Sequence, residues 1–279
     1  MIFKFNDIKI GGDSKFQITP PISGLDTPPI RIGAGDWSGR DGGYVSSQFY
    51  SSRVIVIEGF YIGGTCDEAD ELRKTLSMNL PIRMSIPLFI TSWSNKRYVT
   101  EAYLQDVKMD ITASKHGIFQ ITFICPDPLL YDAGDGVDPN SGWQERDVYK
   151  LIGGGYVTEY EIPVQWTPGT QPSAIVNNGD SLVMPQIRIT GRVTNPIVAN
   201  LTTNKSIKLN IVTSATDEII IDMHSRIILL NGSSILSLRT IDSSWWGLEP
   251  GTNVISYESG NDQDIDNVTV RWRNGYAGV

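Results

Sequence analysis

"RIGAGDWSGRDGGYV", Arg31 to Val45, decides whether the chain is read as an α/β nucleotide-binding protein or as a β protein. Glycines stand at 33, 35, 39, 42 and 43. A dinucleotide loop needs G-x-G-x-x-G opening a helix after a strand, because the free N–H groups of the first helical turn hold the phosphate. Here Gly33 and Gly35 are followed by Gly39, so the spacing fails. Downstream, "YVSSQFYSSRVIVIEG" reads as strand, so no helix N-terminus is available. The phosphate-loop string G-x-x-x-x-G-K-[ST] does not occur. The stretch therefore reads as a flexible, glycine-punctuated connection between strands, with a tight turn at Asp41–Gly42–Gly43 that uses positive φ.

Outward from it, the first half is strand-rich. "RVIVIEGFYI" (Arg53–Ile62) mixes β-branched and aromatic residues around a glycine. "KRYVTEAYL" (Lys96–Leu104), "QDVKMDIT" (Gln105–Thr112) and "GIFQITFIC" (Gly117–Cys125) follow. In the last, Phe119, Ile121 and Phe123 share one face, the period of a half-buried strand. Trp93–Ser94–Asn95 marks a tight hairpin. One segment departs from this pattern, "TCDEADELRKTLSMNL", Thr65 to Leu80. Thr65 and Glu68 form a capping box, and acidic residues crowd the first turns, where the helix dipole favours them. Ala69, Leu72, Leu76 and Leu80 make one apolar stripe, and Pro81 stops the run. The spacing predicts one amphipathic helix, about residues 65–80, packed on its own sheet.

Periodicity fails between Pro126 and Gly155, so residues 1–135 are expected to form one domain and 136–152 a linker. Strands then resume over 153–279: "YVTEYEIPVQW", "PQIRITGRV", "SIKLNIV", "EIIIDM", "RIILL", "NVISYE" and "NVTVRWR". Asn231–Gly232 is a hairpin dipeptide. Many short strands with regular turns predict a β-sandwich or jelly-roll.

The formal net charge of -8 argues against a nucleic-acid backbone or an anionic membrane as the main partner. Two cysteines, Cys66 and Cys125, imply no disulfide framework and fit synthesis in a reducing compartment. The start "MIFKFNDIKI" is no secretory signal, and no apolar run is long enough to span a membrane.

Catalytic chemistry finds little support. His116 and His224 have no second histidine or cysteine at metal spacing, and no G-x-S-x-G occurs. Asp36, Asp41, Asp132, Asp135, Asp138 and Asp180 sit in turn contexts, where aspartate bonds the local backbone. "NDQDIDN" (Asn261–Asn267) starts like a calcium loop with Asp262, Asp264 and Asp266. Asn267 and Arg273 then replace the glycine and glutamate such a loop needs, leaving an acidic hairpin tip and at most a weak surface site. No catalytic, cofactor or metal residues are assigned. Seven tryptophans keep a carbohydrate platform open: Trp37, Trp93 and Trp143 stand in loop-like contexts. Trp272 shares a face with Val268 and Val270 and reads as core, and Trp245 and Trp246 point to opposite faces.

The order of these features resembles one family. "GLDTPPIRIGAGDWSGRDGGYV", "RVIVIEGFYIGG", one helix and a closing "FICPDPLLYD" are followed by "NNGDSLVMPQIRITG", "EIIIDMHSRIILLNG" and "SWWGLEPGTNVISY". This layout resembles the distal tail proteins (Dit) of long, non-contractile-tailed bacteriophages, over nearly the whole chain. The resemblance implies a mainly β protein: an N-terminal β-sheet or barrel domain with one helix, related to tail-tube subunits, and a C-terminal galectin-like β-sandwich. It implies a non-enzymatic hub at the virion tail tip, made in the bacterial host cytoplasm. Six copies would form a ring around a DNA channel, joining the major tail tube protein to the tail-tip fibre or lysin protein and carrying receptor-binding proteins. The absence of a long insertion in the second half fits the short form of the family. A ring needs head-to-tail interfaces. Arg31–Val45 is the candidate inter-subunit loop, with Asp36, Trp37, Arg40 and Tyr44 as its interface residues and the two aromatics as anchors. The acidic balance fits a lumen with more negative than positive side chains, without sequence-specific DNA binding. The rival reading is a carbohydrate-binding or glycoside-hydrolysing β-sandwich, which predicts an exposed aromatic groove or a carboxylate pair.

Overall fold

A computed structural model describes residues 1–113, 115–136, 138, 140–150, 172–261 and 266–279. The chain divides into unit 1, Met1–Gly142 with Tyr276–Val279, and unit 2, Trp143–Gly275.

Unit 1 runs β1 (Ile2–Phe5), β2 (Ile8–Ile10), β3 (Phe16–Ile18), β4 (Ile30–Asp36), β5 (Gly43–Tyr50), β6 (Arg53–Ile62), α1 (Cys66–Met78), β7 (Ser85–Thr91), β8 (Arg97–Ala113), β9 (His116–Cys125) and β10 (Leu130–Asp132). Seven strands close a barrel in the order β8-β7-β1-β2-β3-β6-β9, with β9 returning to β8. Closure removes the free strand edges that an open sheet would expose. Phe119, Ile121 and Phe123 are buried on one face of β9 as the sequence predicts, and Ile55 and Ile57 are buried on β6. The rings of Phe5 and Phe123 meet edge-on at 5.4 Å, and those of Phe16 and Phe119 at 6.1 Å. The glycine inside "RVIVIEGFYI" has a steric cause. A Cβ on Gly59 would lie 2.1 Å from the Gln17 carbonyl and 2.6 Å from the Phe119 ring.

Helix α1 forms as its sequence demands. Thr65 caps it, its hydroxyl accepting from the Glu68 N–H at 3.2 Å, while the Glu68 carboxylate accepts from the Gly64 N–H at 2.6 Å. Ala69, Leu76 and Leu80 enter the barrel core and Leu72 packs against it, so the stripe serves its own unit. The two segments expected at 96–104 and 105–112 are one 17-residue strand, β8, with an irregularity between Leu104 and Asp106. The first half of β8 pairs with β7 and the second with β9, and the register with β9 shifts at this bulge. His116, expected in a turn, opens β9.

Unit 2 continues with β11 (Gln144–Val148), β12 (Ser173–Asn177), β13 (Gln186–Gly191), β14 (Ile197–Asn200), β15 (Lys205–Lys208), β16 (Glu218–Asp222), β17 (Ile227–Leu230), β18 (Ser233–Ser234), β19 (Gly251–Glu258) and β20 (Asp266–Trp272), before β21 (Gly275–Tyr276) returns to unit 1. A six-stranded sheet, β11-β20-β13-β16-β17-β18, and a four-stranded sheet, β12-β19-β14-β15, make the sandwich. Ile187, Ile189, Ile219, Ile221, Val268 and Val270 are buried from the first sheet, and Ile175, Val198, Ile207 and Ile255 from the second. Trp272 is core, 5% exposed. Asn231 and Gly232 both take positive φ, 47° and 82°, in the β17–β18 turn.

Two boundaries differ from the sequence expectation. Residues 144–148, placed in a linker, form β11 and pair with β20 from Gln144↔Trp272 to Val148↔Val268. "QERDV" buries only Val148, and an edge strand held by backbone pairing leaves little hydrophobic signature. Tyr276–Val279, placed in the sandwich, belong to unit 1. The strand expected at "YVTEYEIPVQW" and the positions Asp262 and Asp264 lie outside the described residues.

Candidate subunit interface

Arg31–Val45 is not a loop. Strands β4 and β5 pair from Ile30↔Tyr50 to Asp36↔Gly43 as a two-stranded sheet of their own, with an irregularity between Gly33 and Ala34. They form a hairpin arm, closed at the tip by the Trp37 N–H donating to the Gly42 carbonyl at 3.1 Å. Gly39 and Gly42 there have φ of +77° and +95°, which explains two of the five glycines.

Gly33 and Gly35 answer to side chains across the ladder. A Cβ on Gly33 would sit 2.6 Å from the Ser46 hydroxyl, which instead donates to the Gly33 carbonyl at 3.0 Å. A Cβ on Gly35 would sit 2.8 Å from the Tyr44 hydroxyl oxygen and 2.9 Å from its ring. Tyr44 pairs directly with Gly35 and lies across it, an aromatic ring covering a bare strand glycine. That placement brings Tyr44 to Trp37 at 5.2 Å between centroids, and the Arg40 guanidinium sits 4.1 Å over the Trp37 ring. Three of the four sequence-selected residues, Trp37, Arg40 and Tyr44, thus form one cluster, with the two rings tilted at 55°. Asp36 ends β4 outside it.

The register gives the arm two faces. Ile30, Ile32 and Ala34 share one with Tyr50, Gln48 and Val45; Arg31, Gly33 and Gly35 share the other with Phe49, Ser47 and Tyr44. Neither face is covered. Ile30, Ile32, Val45 and Phe49 are each more than half exposed, and Trp37, Tyr44 and Tyr50 more than two fifths. Such a concentration of exposed apolar side chains makes the arm the candidate interaction surface. Sequence reasoning missed Ile30, Ile32, Val45, Phe49 and Tyr50. The available signal was that apolar residues occur on both alternating faces of a short hairpin.

Elsewhere the sequence-selected residues stand apart. Trp93 is 77% exposed at the β7–β8 turn, whereas Trp143 is half-buried with the Arg271 and Arg273 guanidiniums each 4.7 Å from its ring centroid. Trp246 is 1% exposed. Asp135 and Asp138 accept from backbone N–H groups in their own turn. Asp266 opens β20, and its carboxylate accepts from the Tyr257 hydroxyl. Burial pushes the Cys125 thiol up to about 11, so it is protonated at neutral pH. Among the described residues no cluster of metal-ligating side chains occurs.

Residues 178–276 match the family model described as the C-terminal domain of a siphovirus-type tail component. The distal tail protein of Bacillus phage SPP1 is 23% identical over 254 residues, covering 85% of this chain and 84% of that protein. The crystal structure of the SPP1 protein superimposes with a TM-score of 0.68 and 15% identity over 98% of each chain. In sequence and in fold, the chain resembles the distal tail proteins of long, non-contractile-tailed bacteriophages, which are structural components of the tail.

Proposed function

We propose that this chain is the subunit of a hexameric hub ring that joins the tail tube to the tail-tip and receptor-binding apparatus and leaves a central channel for DNA. The observation that carries this reading is the β4–β5 arm, whose apolar side chains find no cover within their own chain. A ring requires each copy to offer one surface to the next and accept another, and a projecting hairpin is suited to the first role. The number six rests on the likeness to the distal tail proteins, of which the SPP1 member is described as a hub of the adsorption apparatus of phages that infect Gram-positive bacteria. The net charge of -8 favours a lumen richer in negative than positive side chains, along which DNA slides. Its neighbours would be the major tail tube protein on one side and the tail-tip fibre or lysin protein on the other. Trp143, with two arginine guanidiniums 4.7 Å from its ring centroid, is less available to the rival carbohydrate-platform reading than the exposed Trp93.

The test removes Asp36–Gly39 and measures mass by light scattering in the presence of the tail tube protein. The expected outcome is loss of the hexamer with unit 2 still folded. Hexamers of unchanged mass would contradict the role of the arm.

A further inference from the structure

Arg53, the first residue of β6, is 1% exposed, and its guanidinium donates to four backbone carbonyls. Nε reaches Pro128 at 2.7 Å; Nη1 reaches Gly24 and Asp26, both at 2.7 Å; Nη2 reaches Ala277. A buried guanidinium is tolerated only when its donors are met, and here three segments far apart in sequence meet them. Residues 24–26 are the lead into the arm. Pro128 lies between β9 and β10. Ala277 lies on the segment that re-enters unit 1 from unit 2.

Further contacts tie the same segments. The Val279 N–H donates to the Leu25 carbonyl at 3.0 Å. A Cβ on Gly278 would lie 3.3 Å from the backbone of Asp26 and Thr27. The rings of Tyr276 and Tyr98 meet edge-on at 5.3 Å. Gly24, at φ +87°, lies so close to β6 that a Cβ there would be 1.9 Å from the Val54 carbonyl oxygen. At the same root, on the strand returning from the arm, the Ser51 N–H donates to the Pro29 carbonyl at 2.7 Å, two residues before Arg53. The segment leading into β4 is thus held by the Arg53 guanidinium, and β5 leads within three residues to Arg53 itself.

We infer that residues 276–279 are a clasp that fixes the root of the β4–β5 arm through Arg53, so that the arm is set for assembly only after the chain has returned from unit 2. Arg53 is a positioning residue in this device. The inference rests on the arm's proposed role in the ring for its meaning, but the state of the root can be measured on the unassembled protein.

The experiment is hydrogen–deuterium exchange on the full chain, on a variant lacking residues 277–279, on Gly278→Val, and on Arg53→Lys and Arg53→Met. Exchange is followed in peptides covering 22–30, with β9 and β16 as internal references, and light scattering is run in parallel with tube protein present. The expected result is at least tenfold faster exchange at 22–30 in the 277–279 deletion and in Arg53→Met, with β9 and β16 unchanged and hexamers reduced. Arg53→Lys, which keeps the charge but reaches fewer carbonyls, should fall between. Should Arg53→Met fail to fold, the deletion and Gly278→Val carry the test alone. Exchange at 22–30 within twofold of the parent in the deletion overturns the clasp, whether or not rings form. Faster exchange with hexamers undiminished overturns its link to assembly. A parent chain that forms no rings at all would count against the ring reading and leave the exchange result to decide the clasp.

Discussion

Gly35 and Gly59 are both strand glycines that make room for an aromatic ring, yet they differ in what surrounds them. Gly59 faces the barrel core against Phe119, where neighbours have no space to yield. Gly59→Ala should therefore destabilise unit 1 by about 3 kcal/mol, at the upper end of overpacking costs, measurable by denaturant unfolding. Gly35 faces only Tyr44 on the exposed arm. Gly35→Val should shift the unfolding free energy by less than about 1 kcal/mol, because the arm lies outside the core. It should still change the near-ultraviolet circular dichroism of the Trp37–Tyr44 pair and weaken ring assembly. A third residue-scale prediction concerns Asp242. Hydrogen bonds from Lys208 and Thr240 hold its carboxyl down at about 2, below the ordinary 3.8. Its contact with Lys208 is therefore in force above pH 3.8 and is lost as pH falls through about 2. Carbon-13 NMR of the carboxyl should show that midpoint, and Lys208→Met should move it back towards 3.8.

Among elements, α1 was the most legible, because its cap, its charges and its apolar stripe all point to one helix. Removing the Thr65 hydroxyl in Thr65→Ala should cost about 1 kcal/mol. Leu76, 0% exposed in the barrel core, should cost about 2–5 kcal/mol as Leu76→Ala. If the two substitutions cost the same, the stripe is not what holds the helix to the barrel. The core strands were legible on two grounds: period-two alternation in β9, and the β-branched and aromatic content of β6. The arm was not. Its residues alternate apolar on both faces, which reads as irregular when one face is assumed to be buried, and its glycines read as a loop when their cross-strand partners are unknown. Strand β11 was missed because it buries only Val148, and its Glu145 and Asp147 meet Arg271 and Thr269 of β20, partners that cannot be read from "QERDV" itself. Arg53 was equally hidden, since nothing in "SSRVIVIEG" shows that four distant carbonyls converge on its guanidinium.

At the scale of the whole molecule, two β units on one chain divide the work. Unit 1 supplies a closed barrel with a projecting arm, and unit 2 supplies a sandwich inserted in the chain before the segment that completes unit 1. The order of motifs along the chain was enough to place it beside the distal tail proteins, while the exposed apolar surface proposed for contact between copies emerged only once β4 and β5 were paired. The most direct measurement is electron cryomicroscopy of the protein mixed with its tail tube protein. The proposed assembly predicts six-fold rings in which the aliphatic face of each arm, Ile30, Ile32 and Val45, is buried against the next copy. Rings whose arms touch no neighbour, or a chain that stays monomeric on the tube, would contradict it.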